Sequence, residues 1–332
     1  MRRRLPAALL VVGFAFAALF ASPTPSGPAI AEHVVIMSLD GLRPDAIGEA
    51  RAETLLSLIR RGAYAPKGKT IRPSVTVPAH TSMLTGFDSR HHRVLSNNAF
   101  SSHAPRRHVA IPTIFSLARD AGLSTAMFYS KVSLSGLADL GGIDTSFGPL
   151  RPRPEAPAPA SKSAAATAAA ERATGIDFSP DRVAEAFADA WARQTFALSF
   201  VHLREPDQTG HREGWMTPGY LEGVRTADRA VARMIESLAR AGVVEKTAII
   251  VTADHGGIGG TKRHLARADP DNPEAVTIPW ICVGPGVPAG LSIDRAVRVH
   301  DTAPTALVFL GLPIPPEIDG HPVAEVLRAS KR

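Results

Sequence analysis

Asp40, Asp207, His211, Asp254 and His255 are the side chains in this sequence whose types and spacing offer a site. Carboxylate oxygens and neutral imidazoles together suit a divalent cation, zinc first, with manganese or another divalent ion as the alternative. Asp207 and His211 are four apart, which puts both on one face if the chain turns helically after Pro206. Asp254 and His255 are adjacent, and Gly256-Gly257 behind them lets backbone approach closely. Such a site needs a nucleophile. The stretch Arg72-Pro-Ser-Val-Thr-Val-Pro-Ala-His-Thr-Ser-Met-Leu-Thr-Gly86 offers the Thr76 hydroxyl, two residues before Pro78. Pro78 fixes its own φ and biases Val77 towards an extended backbone. Residues 79–84 read as the start of a helix, whose first N–H groups have no partner inside the helix and favour anions.

The elements that must hold these side chains follow from the hydrophobic pattern. Residues 33–40, 196–203 and 247–252 are nearly continuous apolar runs, the pattern of parallel strands buried on both faces. The first ends at Asp40-Gly41, the second leads into Asp207, and the third into Asp254. Helices are expected over 50–61, 114–121, 183–194, 221–241 and 301–310, and further strands over 124–129, 280–283 and 295–299. Strands alternating with helices predict a mostly parallel sheet, which binds ligands outside the carboxyl ends of its strands. An isolated Asp before Gly is ordinary turn chemistry. Three strand-end acids at one edge, two of them with histidines, favour the metal reading over that one.

Length and composition bound the rest. The chain has 332 residues, 45% apolar and 20% charged, enough for one large α/β domain or two smaller ones. Arg2, Arg3 and Arg4 precede an apolar run from 5 to 20 and then Ala29-Ile30-Ala31. That is the pattern of a secretory signal peptide over 1–31, with cleavage after Ala31. An uncleaved anchor is the rival, although the run is short of the roughly 20 residues that span a bilayer. Export to the periplasm or the extracellular space is therefore expected, with no stable membrane span after cleavage. Removal of 1–31 leaves 34 basic and 31 acidic residues, a formal charge of +3. That is too mild to point to nucleic acid, and no basic tract supports one. Cys282 is the only cysteine, so an internal disulfide is excluded, and its apolar neighbours suit a buried thiol. Residues 32–330 read as a single catalytic domain, interrupted at about 149–175 by a Pro/Ala-rich insertion. The insertion reads as a flexible surface segment or, through its Ala tract, a short helix. Nothing in the sequence sets an oligomeric state.

These pieces resemble the alkaline phosphatase superfamily and, within it, the nucleotide pyrophosphatase/phosphodiesterase group. The likeness rests on Ser-Leu-Asp40-Gly-Leu-Arg-Pro-Asp, Pro-Ser-Val-Thr76-Val-Pro-Ala-His, Pro-Asp207-Gln-Thr-Gly-His211 and Thr-Ala-Asp254-His255-Gly-Gly. Ile278-Pro-Trp-Ile-Cys-Val-Gly-Pro-Gly286 and Asp301-Thr-Ala-Pro-Thr-Ala-Leu extend it, so it covers essentially all of the chain after the leader. The resemblance implies a three-layer αβα sandwich and two zinc ions. One ion would be held by Asp207, His211 and a third histidine; the other by Asp40, Asp254, His255 and the Thr76 oxygen. His264, in Gly-Gly-Thr-Lys-Arg-His264, is the choice for the third histidine, because short bacterial relatives place one shortly after the Asp-His-Gly-Gly segment. The chain lacks their usual glycine there, so His321 stands as the rival, with His300 behind it. Asn97 is implied as a donor to a phosphate oxygen, against a loop residue that bonds its own backbone. His80 and Lys69 are left without a role.

The activity implied is hydrolysis of a phosphate diester or pyrophosphate, a small-molecule substrate, through a phospho-threonine at Thr76. Two metal ions can clamp both oxygens of such an in-line displacement, and no organic cofactor is needed. The alternatives keep the site but take a phosphomonoester, phosphonate or sulfate ester, or bind metal and ligand without turnover. The sulfate reading lacks its Cys/Ser-x-Pro-x-Arg setting: neither Cys282 nor Ser74-Val-Thr-Val-Pro fits it.

Overall fold

The seven residues of β1 (His33–Leu39) are all buried, as expected of a strand covered on both faces. The structure, a computed structural model, describes residues 27–100, 111–150, 163–264, 269 and 271–327. Around β1 the chain adds β2 (Ala63–Lys69), β3 (Thr125–Tyr129), β4 (Thr145–Phe147), β5 (Leu198–Leu203), β6 (Thr247–Thr252), β7 (Thr277–Val283) and β8 (Leu291–Ser292). They form one sheet in the order β4-β3-β5-β1-β6-β7-β2-β8. The five strands from β4 to β6 run parallel. Only β7 opposes its neighbours β6 and β2. In this register Tyr129, His202, Ser38 and Thr252 lie in one row across the sheet, just before the strands end.

Helices cover both faces. On one, the helices Glu53–Arg61, Pro180–Arg193 and Pro218–Arg240 pack on one another. Thr217 and Ser179 cap the two long ones through their hydroxyls, each followed by a proline at the first turn. On the other face lie Thr76–Thr85, Ile114–Asp120 and Thr302–Phe309. All ten residues of Thr76–Thr85 are buried, and the helix stops at Gly86, whose φ of 78° suits a left-handed cap. Each fully buried aliphatic side chain of this core contributes about 1.5–3 kcal/mol. The fold is thus the expected three-layer sandwich around a mostly parallel sheet.

One expectation needs correcting, and two regions complete the picture. Residues 295–299 form no strand. A 3-10 turn, Val299–Asp301, stands there, because the Asp301 carboxylate accepts the Arg298 N–H at 2.8 Å and curls the chain. The strand at this edge is β8, and Arg298 makes only a single bridge to Lys69. Conversely β2 is a full strand despite Pro66 and Gly68, which a bulge between Ala65 and Gly68 absorbs. The Ala-rich part of the 149–175 segment is not a flexible loop but the helix Ser163–Thr174. It packs beside the turn after β3, where Thr167 Oγ1 accepts the Val132 N–H at 3.1 Å, and Glu171 pairs with Arg204 at 2.5 Å.

Most of the expected leader, residues 1–26, lies outside the described residues. Its last residues are part of the folded body: Ile30 and Ala31 both donate to the Phe309 carbonyl, at 2.8 and 3.0 Å. Among the described residues, no helix is long and apolar enough to cross a membrane.

Candidate functional site

Four adjacent parallel strands, β3-β5-β1-β6, deliver Lys131, Asp207, Asp40 and Asp254 to one edge. Asp40 directly follows β1, and Asp254 lies two residues past the end of β6. Asp207 opens the short helix Asp207–Glu213, which turns His211 onto the same face, with His211 Nε2 3.4 Å from Asp207 Oδ1. The candidate ligands fall into two groups, Asp40–Asp254–His255, wholly buried, and Asp207–His211–His264, half open. His264 thus joins the first ion's expected ligands. His321 instead gives its backbone N–H to Asp301, and His300 lies in the turn beside Asp301.

Each aspartate divides its two oxygens between tasks. Asp40 Oδ2 accepts Lys131 Nζ at 2.7 Å and His202 Nε2 at 2.8 Å. Asp207 Oδ2 accepts Lys131 Nζ at 2.5 Å. Asp254 Oδ1 accepts the backbone N–H groups of Gly41 and His255, both at 3.0 Å. The other oxygens, Asp40 Oδ1, Asp207 Oδ1 and Asp254 Oδ2, are buried with no hydrogen-bond partner, and so is His255 Nε2. These four atoms converge: His255 Nε2 lies 3.5, 3.9 and 3.3 Å from the three oxygens. An unsatisfied buried polar atom costs about 1–3 kcal/mol, more when charged. Four at one point is an arrangement made for a cation.

The histidines settle which of them could bind one. A backbone carbonyl can only accept, so a ring nitrogen against it must carry the proton. His255 Nδ1 faces the Gly256 carbonyl at 2.9 Å, His211 Nδ1 that of Lys262 at 3.1 Å, and His264 Nδ1 that of Ser74 at 3.0 Å. In its neutral form each therefore presents a bare Nε2, the tautomer of a metal-binding imidazole held by its outer partner. His80 and His202, buried like His255, have both nitrogens engaged. His80 bonds the Thr76 carbonyl and Ser38 Oγ; His202 bonds Asp40 and the Ser130 N–H. Burial pushes His80 and His264 down to about 3, His202 and His255 adding to the respective shifts, so both rings are neutral.

The carboxylates outnumber the one ammonium among them. Burial opposes charge on Asp40, but Lys131 and His202 hold it well below the usual carboxylate range. Burial likewise opposes charge on Lys131, and Asp207, Asp40 and Asp254 together keep it protonated. The imbalance falls on Asp254, pushed up to about 7 by burial and by Asp40. A bound divalent cation is the local charge that reverses this. The donor set, mixed oxygen and imidazole nitrogen, fits zinc.

Thr76 sits at the first turn of its buried helix, and His80, bonded to its carbonyl, lies with Nδ1 3.8 Å from Asp254 Oδ2. The loop before it is tied in through Ser74 and His264, and its own carbonyl through His80. Asn97 Oδ1 accepts the Val77 N–H at 2.8 Å, which fixes the amide and leaves its NH2 end as a donor next to Thr76. Asn97 therefore bonds the backbone of the Thr76 turn rather than of its own loop. Lys69 lies on β2 with Nζ on Thr277 Oγ1 and is not part of this constellation.

Lys131, His202, Trp215 and Arg43 escape the sequence reading. Lys131 follows β3 as Asp40 follows β1, so the strand-end rule, extended from acids to a base, finds it. Trp215, fully buried, sets its ring edge-on to His211 at 5.0 Å and donates Nε1–H to the Gly41 carbonyl. A Cβ on Gly257 would lie 2.1 Å from that ring, so only glycine fits there. Arg43 reaches from the loop after β1 to the Gly257 carbonyl and Glu274, both at 2.9 Å, and so joins two of the strand-end loops.

Comparison with known proteins bears on this arrangement. The family described as type I phosphodiesterase / nucleotide pyrophosphatase matches residues 34–273. The human protein named ectonucleotide pyrophosphatase/phosphodiesterase family member 5 is 22% identical over 260 residues, 78% of this chain and 52% of that protein. The chain thus spans about half the length of that relative. Among solved structures, murine ectonucleotide pyrophosphatase / phosphodiesterase 5 superposes with a TM-score of 0.64 at 14% identity, over 86% of this chain and 96% of that one. A phosphonate monoester hydrolase of Agrobacterium radiobacter superposes with a TM-score of 0.57 at 16% identity, over 89% and 77%. At these identities the superpositions speak for the fold.

Proposed function

The chain belongs to the type I phosphodiesterase / nucleotide pyrophosphatase family, and from that premise we propose that it is a metal-dependent hydrolase of phosphate diesters or phosphoanhydrides with Thr76 as nucleophile. The observation that carries the proposal is the set of three Nε2 atoms turned towards carboxylate oxygens, with His264 bonded to the Ser74 carbonyl just before the Thr76 helix. Asp40, Asp254 and His255 would hold one divalent ion, with the Thr76 oxygen beside it, and Asp207, His211 and His264 the other. Bound there, zinc supplies Lewis-acid stabilisation of phosphoryl oxygens and makes a hydroxyl nucleophilic near neutral pH.

The protein's own groups do the rest. The Thr76 oxygen attacks phosphorus in line with the leaving oxygen, and a P–O bond to Thr76 replaces the one that breaks. Water then cleaves the phospho-threonine, so two inversions give net retention. The Asn97 amide, held by the Val77 N–H, donates to a non-bridging oxygen. The carbonyl partners of His211, His255 and His264 keep their rings in place throughout. A solved complex of inactive murine ectonucleotide pyrophosphatase / phosphodiesterase 5 carries AMP, which makes nucleotide esters the first substrates to screen.

The test uses metal-stripped protein on bis-p-nitrophenyl phosphate and p-nitrophenyl phosphate, before and after zinc is added. Zinc-restored activity favouring the diester is expected, and Thr76→Ala should lower it by at least about 10⁴-fold with the fold intact. Full activity in Thr76→Ala would refute the nucleophile. A second reading, a phosphomonoester hydrolase, has Lys131 in its favour: a positive charge inside the site favours a dianionic ester. Preference for the monoester would select it. Export by a leader over 1–31 is inferred from the sequence pattern, and fractionation with N-terminal sequencing of the exported protein tests it.

A further inference from the structure

Lys131 is bonded to one carboxylate of each candidate ligand group, Asp40 at 2.7 Å and Asp207 at 2.5 Å. Its side chain is 8% exposed, so the charge acts at close range with little screening by water. The two groups differ in what this leaves them. Asp40–Asp254–His255 has two carboxylates and one imidazole, all buried. Asp207–His211–His264 has one carboxylate, whose partner is the Lys131 ammonium at the shorter of the two distances, and two imidazoles. With the carboxylates ionised, as ligands of a metal must be, and Lys131 counted with Asp207, the first group carries two negative charges and the second none. One divalent ion neutralises the first. An ion in the second adds two positive charges beside an ammonium, in a pocket where charges a few ångströms apart interact strongly.

We propose that Lys131 ranks the two groups: Asp40–Asp254–His255 takes a divalent ion alone, and Asp207–His211–His264 takes its ion together with a phosphate-type anion. This rests on the reading of both groups as cation sites. The anion supplies the negative charge that the second group lacks, and it has Lys131 and the second ion to bind to. Linkage makes the effect reciprocal, so the second ion tightens the anion by the same factor as the anion tightens the ion. The second ion would then be a companion of the substrate rather than a permanent resident.

The experiment counts zinc and does not depend on turnover. Metal-stripped full-length protein is titrated with zinc by calorimetry, with and without inorganic phosphate. The expected result is one tight equivalent and a second roughly 100-fold weaker, as one unit charge at this range in a protein can cause. Phosphate should tighten the second equivalent at least about 10-fold and leave the first unchanged, an ordinary size for coupling between sites. Lys131→Met should bind both equivalents without phosphate, and Lys131→Arg should behave as the wild type. Two equal equivalents in the wild type without phosphate would overturn the ranking alone and leave the proposed function standing. So would a second equivalent indifferent to phosphate, a result that needs no variant to fold. No tight zinc at all would overturn the ranking and the metal reading of the site together.

Discussion

At the carboxyl edge of the sheet, three aspartates each keep one oxygen out of every hydrogen bond, and three histidines turn a bare nitrogen towards them. Beyond the other end of the Thr76–Thr85 helix lies a second gathering of acids and imidazoles that spends them differently. Asp301 gives one oxygen to the Arg298 N–H and the other to the His321 N–H. Asp88 accepts from the Arg90 N–H, and Asp319 from the Asp88 N–H. His92 has both nitrogens engaged, one on Ser82 Oγ and one accepting the Val94 N–H. His300, buried without a hydrogen-bond partner, has no converging pair of ligands, since among the described residues only the two groups at the sheet edge gather enough donors for an ion. Residue type does not separate the two regions. Backbone saturation does: where main-chain groups consume the side chains, the cluster holds loops together, and where they leave one lone pair each, it can hold an ion.

The contrast breaks most plainly if a change in the second region removes zinc or one in the first does not. Asp254→Asn should abolish the tight zinc equivalent and lower diesterase activity by at least about 10³-fold, consistent with loss of an ion that stabilises the transition state. Asp301→Asn should cost about 1–3 kcal/mol of stability in a denaturant titration, the usual price of a damaged buried hydrogen bond, and retain full zinc content. Trp215→Phe keeps a ring against His211 but loses the bond to Gly41. It should weaken zinc by about 10-fold, as changes to partners of metal ligands do.

Acid sharpens the same comparison. Burial pushes His92 down to about 4 and also lowers His300, against an ordinary value of 6.5. The unfolded chain therefore binds protons there below pH 6.5 while the folded one does not, so stability is lost as pH falls from 6.5 towards 4. The melting temperature of the zinc-loaded protein should drop by several degrees over that window. The loaded form is the right sample, because in stripped protein Asp254 at about 7 contributes with the opposite sign, its folded value lying above the unfolded one. The smallest effect is expected at His321→Ala, whose side chain lies outside both ligand groups: zinc content and turnover should be unchanged.

The parallel half of the sheet was open to reading because its signals are local. An apolar run that stops just short of an acid carries both the strand and its functional end within a few residues, and β1, β5 and β6 all follow that rule. The flank was less open, since Pro66 and Gly68 mimic a turn and only the pairing with β7 makes them a strand. His264 illustrates the same limit inside the site. No regular element sets its distance from His255; the Ser74 carbonyl, Trp215 and Arg43 do, and all three lie far away in sequence. Lys131 was legible in position but not in kind, because a lysine at a strand end is usually read as solvent-facing and only its pairing with two distant carboxylates draws it inward.

The helix that begins at Thr76 is fastened at its far end by chain that follows every candidate ligand. Gly320 donates to the Gly86 carbonyl at 2.9 Å, and the Ile318 side chain fills the space over Gly86. The turn Val299–Asp301 and the helix Thr302–Phe309 pack along its length. For protein engineering this sets the smallest portable unit. A fragment cut at residue 273, where the family match ends, keeps every proposed ligand and the threonine itself. It loses the wall that holds the threonine still, so the chemistry cannot be transplanted without a C-terminal segment that touches none of it.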